Sequence, residues 1–107
     1  MKIGVLLSTS DPETAWNAFR FANASRKGGH ETRVFLMGKG VEAPTLRSPP
    51  FDVEKEVARF SRGGGEVLAC GTCLDLRKVG APEACSTSTM GSFVDLVATA
   101  DRMVSFG

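Results

Sequence analysis

An apolar run, a capped amphipathic segment and a second apolar run follow one another within the first 38 residues, and that succession leaves few folds open. Ile3 to Leu7 is nearly continuously apolar, the pattern of a strand buried on both faces of a parallel sheet. Asp11 can then accept hydrogen bonds as an N-cap, Pro12 suits the first helical position, and Glu13 favours the positive end of the dipole. Ala15, Phe19 and Ala22 recur at helical spacing, Trp16 and Ala18 widen the apolar face, and Arg26-Lys27-Gly28 supplies a cationic last turn and a stop. The spacing predicts a helix over roughly 12–27. Thr32 to Met37 reads as the second buried strand, so strand, helix and strand form a crossover that favours parallel pairing.

The rest of the chain repeats the pattern more loosely. Gly38 to Pro50 holds Gly38, Gly40, Pro44, Pro49 and Pro50, too many breakers for a long element, and reads as a loop with one helical turn near Val41. Asp52 can cap a helix that buries Val53, Val57 and Phe60 and ends at Gly63-Gly64-Gly65; the triple glycine reads as a stop, not a phosphate cradle. Glu66 to Cys70 is a third strand, Asp101 to Phe106 the last, and Ser92 is placed to cap a helix with Phe93, Leu96, Val97 and Ala100 on one side. A short extra strand is expected near Ala84–Ser86. The expected fold class is α/β, a three-layer α/β/α sandwich with a mainly parallel sheet of about four or five strands in a single domain, 1–107.

Composition decides which functions fit this frame. Leu, Ile, Val and Phe make up about 24% of the residues, above the roughly one-fifth below which disorder is the better expectation. With 107 residues the core is thin, and a homo-oligomer would add burial. Thirteen basic and twelve acidic residues leave a charge of +1, and no stretch of sequence concentrates the basic ones. Neither nucleic acid nor an anionic membrane is therefore an expected partner. No apolar run approaches the roughly 20 residues needed to span a bilayer. Three cysteines make an odd count, and the opening Met1 to Leu7 is too short for a secretory core, so a cytoplasmic protein with reduced thiols is expected.

The cysteines carry the chemistry. In open parallel sheets, ligands and reacting groups sit outside the carboxyl ends of the strands. Cys70 closes the third strand, and Gly71-Thr72-Cys73-Leu74-Asp75-Leu76-Arg77 follows, so Cys70 and Cys73 form a C-x-x-C pair at a strand-to-helix junction. If Thr72 or Cys73 opens a helix, its free N–H groups favour thiolate, and Arg77, four residues beyond Cys73, adds positive charge on the same face. Such a pair can exchange with a disulfide, or accept sulfur as a persulfide and pass it on. Gly71 would permit close approach by a partner's sulfur. The other readings are a small buried hydrophobe at either cysteine and half of a zinc site. Cys85 could be a third zinc ligand, but a fourth is missing, because His30 precedes the second strand at its amino end, about 20 Å of strand away from Cys70. No metal and no cofactor are expected. Cys85 has no spacing that ties it to the pair. Ser8-Thr9-Ser10 would line the same crevice, with helix capping as its ordinary role.

These features in this order resemble the DsrE/DsrF-like (YchN-like) family. The resemblance rests on the Lys2-Ile3-Gly4-Val5-Leu6-Leu7 opening, on Val34-Phe35-Leu36-Met37-Gly38-Lys39-Gly40-Val41, and on Ala69-Cys70-Gly71-Thr72-Cys73-Leu74-Asp75-Leu76-Arg77. Ser88-Thr89-Met90 and the closing Ala100-Asp101-Arg102-Met103-Val104-Ser105-Phe106-Gly107 complete it. The resemblance implies a small three-layer subunit assembling into trimers or hexamers, with relatives in sulfur relay whose cysteine carries persulfide sulfur between protein partners. It places Cys70 at the sulfur-carrying position; Cys73 departs from the single-cysteine members. Three functions follow as expectations. One is a sulfur carrier or sulfurtransferase-like subunit using Cys70, Cys73 and Arg77 with a protein sulfur donor or acceptor. The others are a Cys70–Cys73 thiol–disulfide switch and an oligomeric scaffold with idle cysteines.

Overall fold

Asp11 starts the first helix through its side chain. In the computed structural model, which describes all 107 residues, its carboxylate accepts the Thr14 N–H at 2.9 Å. Pro12 follows, and α1 runs Pro12–Lys27 until Gly28 donates its N–H to the Ala24 carbonyl. Ala15, Ala18, Phe19 and Ala22 are fully buried, as their spacing predicts. Strands β1 (Lys2–Leu7) and β2 (Glu31–Leu36) flank this helix and pair in parallel with Val5 opposite Val34. β2 begins one residue earlier than the apolar run suggests, because the Glu31 N–H already donates to the Met1 carbonyl; it also ends earlier, because the Met37 carbonyl turns to accept the Gly40 N–H.

The breaker-rich stretch is more ordered than a loop. Gly38–Thr45 is a 3₁₀ segment with Val41, Ala43 and Pro44 buried, and two-residue strands β3 (Arg47–Ser48) and β4 (Phe51–Asp52) pair antiparallel across Pro49-Pro50. Gly40 lies against the Leu7 carbonyl, where a Cβ would collide with backbone. Asp52 then caps α2 (Val53–Arg62) by accepting the Lys55 N–H at 3.0 Å. β5 (Glu66–Cys70), α3 (Gly71–Arg77), β6 (Ser86–Ser88), α4 (Met90–Thr99) and β7 (Arg102–Phe106) complete the chain.

Two expectations in this half are corrected. The extra strand is Ser86–Ser88, not Ala84–Ser86, because the Cys85 N–H closes a turn on the Pro82 carbonyl and pairing with β5 starts only at Ser86. The cap of α4 is Thr89, whose hydroxyl accepts the Ser92 N–H at 3.1 Å. Ser92 is the donor of that bond, and Ala100 lies past the helix end.

The main sheet has five parallel strands in the order β6-β5-β2-β1-β7. From β1 through β2 and β5 to β6 the chain steps one way, and right-handed crossovers then place α1, α2 and α3 on one face. The connection from β6 to β7 returns across the sheet, so α4 covers the other face. The result is the expected three-layer α/β/α sandwich. Phe19 and Phe60 meet edge to face at 6.1 Å under α1 and α2, while Phe93 of α4 stacks on Phe35 at 4.7 Å on the opposite side. No helix is long and apolar enough to cross a membrane.

Candidate functional site

Both cysteines of the C-x-x-C pair sit at the carboxyl end of β5. Cys70 is the last residue of the strand and occupies the cap position of α3, which opens at Gly71, one residue before the earliest start considered from sequence. Parallel pairing sets Cys70 beside Ser88 of β6, and only 3% of Cys70 is exposed. Gly71 is in close quarters: a Cβ there would stand 3.2 Å from the Thr87 side chain and 3.3 Å from the Ser88 carbonyl. Its small size serves the approach of β6 to the α3 start rather than that of a partner's sulfur.

Cys73 is half-buried on the first turn of α3, and its sulfur accepts the backbone N–H of Gly38 at 3.2 Å. That amide is free to face α3 because Gly38 takes a left-handed conformation, φ +57°, directly after β2, which glycine adopts without a Cβ penalty. The thiol therefore lies between two strand ends, β2 and β5, in the crevice where α/β sheets present their chemistry.

Arg77 does share the α3 surface with Cys73, but its charge is directed elsewhere. Its Nε lies 2.9 Å from Glu42 Oε1 on the 3₁₀ segment, and its Nη1 donates to the Cys73 carbonyl at 3.2 Å. Arg77 thus ties α3 to the segment that begins with Gly38. Cys85 is apart from this arrangement in character: burial pushes its thiol up to about 12, well above the ordinary cysteine value. All three cysteines are free. No group of three or more His, Cys, Asp or Glu side chains is arranged to hold a metal ion. His30 lies at the amino edge of the sheet, its Nδ1 3.0 Å from the Met1 amine.

The order of strands puts the reversal of direction between β1 and β7. Ser8 closes that point by donating its N–H to the Phe106 carbonyl at 3.1 Å, and its hydroxyl lies 3.3 Å from the Gly107 oxygen. Thr9 accepts the Asp11 N–H at 3.1 Å, so the Ser8-Thr9-Ser10 stretch works as a turn and helix entry. Sequence reasoning missed Gly38 and Glu42 as parts of the cysteine site. Gly38 stood within the Phe-Leu-Met-Gly stretch, but nothing in its spacing pointed to α3.

Residues 1–106 match the DsrE/DsrF-like family. The chain belongs to that family. DsrE-like proteins are associated in general with sulfur relay. The fold is that of the YchN protein from Escherichia coli, with a TM-score of 0.88 at 21% identity over 99% of both chains. A protein of unknown function from Bacteroides thetaiotaomicron gives 0.77 at 18% identity, covering 97% of this chain and 93% of its own. Another, from Methanobacterium thermoautotrophicum, gives 0.77 at 14%, covering 96% and 97%. No curated protein matches the sequence. At these identities the solved structures establish the fold of this DsrE-like chain, and the function is argued from its own residues.

Proposed function

We propose that this DsrE-like chain is a cytoplasmic sulfur-carrier or sulfurtransferase-like subunit of a homo-oligomer, a trimer or hexamer, which takes sulfane sulfur from a donor and passes it to a protein partner. The observation that carries the reading is the Cys73 sulfur seated on the Gly38 N–H beside Cys70. An amide donor aimed at sulfur supports negative charge there, and a persulfide needs the same support when its sulfur leaves.

The two cysteines differ in access, and this argues for exchanging the roles that the resemblance implies. Cys70 is 3% exposed whereas Cys73 is half-buried, so Cys73 is the better acceptor and Cys70 the second thiol. In the forward step the Cys73 thiolate attacks the outer sulfur of a donor persulfide, R–S–SH. The donor S–S bond breaks, R–S⁻ leaves, and Cys73–S–SH forms. A partner thiolate attacking the same outer sulfur returns Cys73 to thiolate, with no net oxidation. Alternatively Cys70, as thiolate, attacks the inner sulfur and expels HS⁻; the sulfane sulfur is reduced and a Cys70–Cys73 disulfide is left. Arg77 acts as a positioning residue, holding α3 against the 3₁₀ segment through Glu42.

The test is intact-mass spectrometry after loading the reduced protein from a sulfane donor. Gain of one sulfur that is lost in Cys73→Ala supports the reading. No gain with both thiols still free, or a gain that survives loss of both cysteines, overturns it. Where two free thiols are lost and no sulfur is retained, release of HS⁻ marks the Cys70 step of the proposed function, and its absence assigns the pair to disulfide exchange instead.

A further inference from the structure

The outer surface of the α1 and α2 layer lies apart from the cysteines and has a charge of its own. Arg20, Arg26 and Lys27 of α1 and Arg59 of α2 line an open groove of about 500 Å³, together with Asn23 and Glu56. A second open groove of about 510 Å³ shares Arg59 with the first and adds Arg47, Lys55 and Arg62 beside Asp52 and Glu54. Seven cations and three carboxylates give the two grooves +4. Since the whole chain carries +1, the remainder is left with −3. The cations are scattered in sequence from Arg20 to Arg62, and the packing of two helices and a hairpin collects them.

Part of this charge has internal partners. Arg26 donates to the Gly63 carbonyl at the end of α2, Arg59 lies 3.5 Å from Glu56, and Arg47 pairs with Glu54. Arg20, Lys27, Lys55 and Arg62 are exposed and have no carboxylate within 4.0 Å. Trp16 adjoins them: Arg20 lies over its ring at 4.4 Å, and Phe51 meets it at 5.3 Å. Trp and Arg together are the side chains most enriched where partners bind.

We propose that this surface docks an extended acidic segment of a protein partner. Complementary charge steers encounter and fixes orientation, and the grooves are too open to enclose a small ligand. Two features favour a peptide over nucleic acid. The ring on which a base would stack, Trp16, is already covered by Arg20 and Phe51. Asp52 stands exposed among the cations and in no ion pair, where it would repel a continuous phosphodiester but can be avoided by discrete carboxylates. The proposal does not depend on which cysteine carries sulfur.

Trp16 is the only tryptophan and reports on the surface directly. The full-length protein is titrated with a peptide of six Glu-Gly repeats, its Gln-Gly counterpart, and an oligothymidylate carrying six phosphates, with anisotropy of the labelled probe and Trp16 emission as readouts. The acidic peptide is expected to bind, to change Trp16 emission, and to weaken about tenfold when ionic strength is raised from low to physiological. The triple variant Lys27→Gln, Lys55→Gln, Arg62→Gln removes exposed cations without touching an internal pair, and should also weaken binding about tenfold. A Lys2→Gln, Lys39→Gln, Lys78→Gln control at other surfaces should leave it unchanged. Equal binding of the Gln-Gly peptide, equal binding by the triple variant, or tighter binding of the oligothymidylate would each overturn the proposal.

Discussion

The sulfur of Cys73 and the backbone nitrogen of Gly38 are 3.2 Å apart, although 35 residues separate them in sequence. The contact joins the ends of β2 and β5, and it distinguishes Cys73 from the other two thiols. Reaction with a small alkylating probe at neutral pH, resolved by peptide mass, should label Cys73 first. Cys70 should lag because it is buried, and Cys85 should be slowest, since burial holds its thiol up to about 12 and starves it of thiolate. Raising the pH toward that value should recover Cys85 labelling last of the three. Faster labelling of Cys70 than of Cys73 would return the acceptor role to Cys70.

The ion pair between Arg77 and Glu42 gives a second expectation. At 2.9 Å and partly exposed, it adds at most about 1 kcal/mol to stability, so Arg77→Gln should fold with little change in melting. Its effect belongs to the position of α3. If Arg77 acts through Glu42, Glu42→Gln slows Cys73 labelling as much as Arg77→Gln, and the double variant is no worse than either. An Arg77→Gln effect absent from Glu42→Gln would mean that the guanidinium acts on the Cys73 turn directly, through its bond to the Cys73 carbonyl, and not through Glu42.

Phe35 ranks among the largest fully buried side chains and stacks on Phe93. Truncating it to Ala removes that contact and leaves a cavity at the centre of the sheet, costing about 3–5 kcal/mol. Phe93→Ala should cost less, because Phe93 is only half-buried and water can refill part of its site. Chemical denaturation of both variants checks the order.

The Asp11 carboxylate is held below the ordinary aspartate value first by the Thr14 backbone N–H and then by the Thr14 hydroxyl. A carboxyl depressed by folding contributes stability above its unfolded pKa and loses it as pH falls through the folded one. Asp11→Asn keeps an acceptor without the charge, so melting followed from neutrality into acid should fall less steeply in the Asp11→Asn variant than in the parent. Parallel acid profiles would show that the Asp11 charge does not contribute.

What the sequence made legible was local. Asp11-Pro12 and Asp52 announced their helices because caps act within three residues, and the apolar runs announced β1, β2 and β5. The C-x-x-C pair was legible for the same reason. Legibility failed where a role depends on a distant partner. Ser92 has the side chain of a cap, but α4 starts at Met90, which gives the cap position to Thr89. Gly38 and Glu42 joined the site only when β2 was set beside β5, and Glu56 gave no sign that it would be buried between two helices and paired with Arg59. The seven cations of the α1–α2 surface failed the test of local concentration for the same reason.

Helix α4 leaves one face unpartnered. Met90, Val94 and Val97, at i, i+4 and i+7, are 54%, 59% and 47% exposed, while Leu96 points inward at 5% and Phe93 covers Phe35. An amphipathic helix with a second apolar stripe exposes surface that association would remove from water. If the proposed homo-oligomer forms through this stripe, sedimentation of the parent at micromolar concentration shows an assembly and Val94→Glu shifts it to monomer. The charge is placed on an exposed position, so the fold of the Val94→Glu subunit should change by only about 0.5 kcal/mol. An assembly that persists in Val94→Glu would place the interface elsewhere, and a parent that sediments as monomer would remove the oligomer from the proposed function.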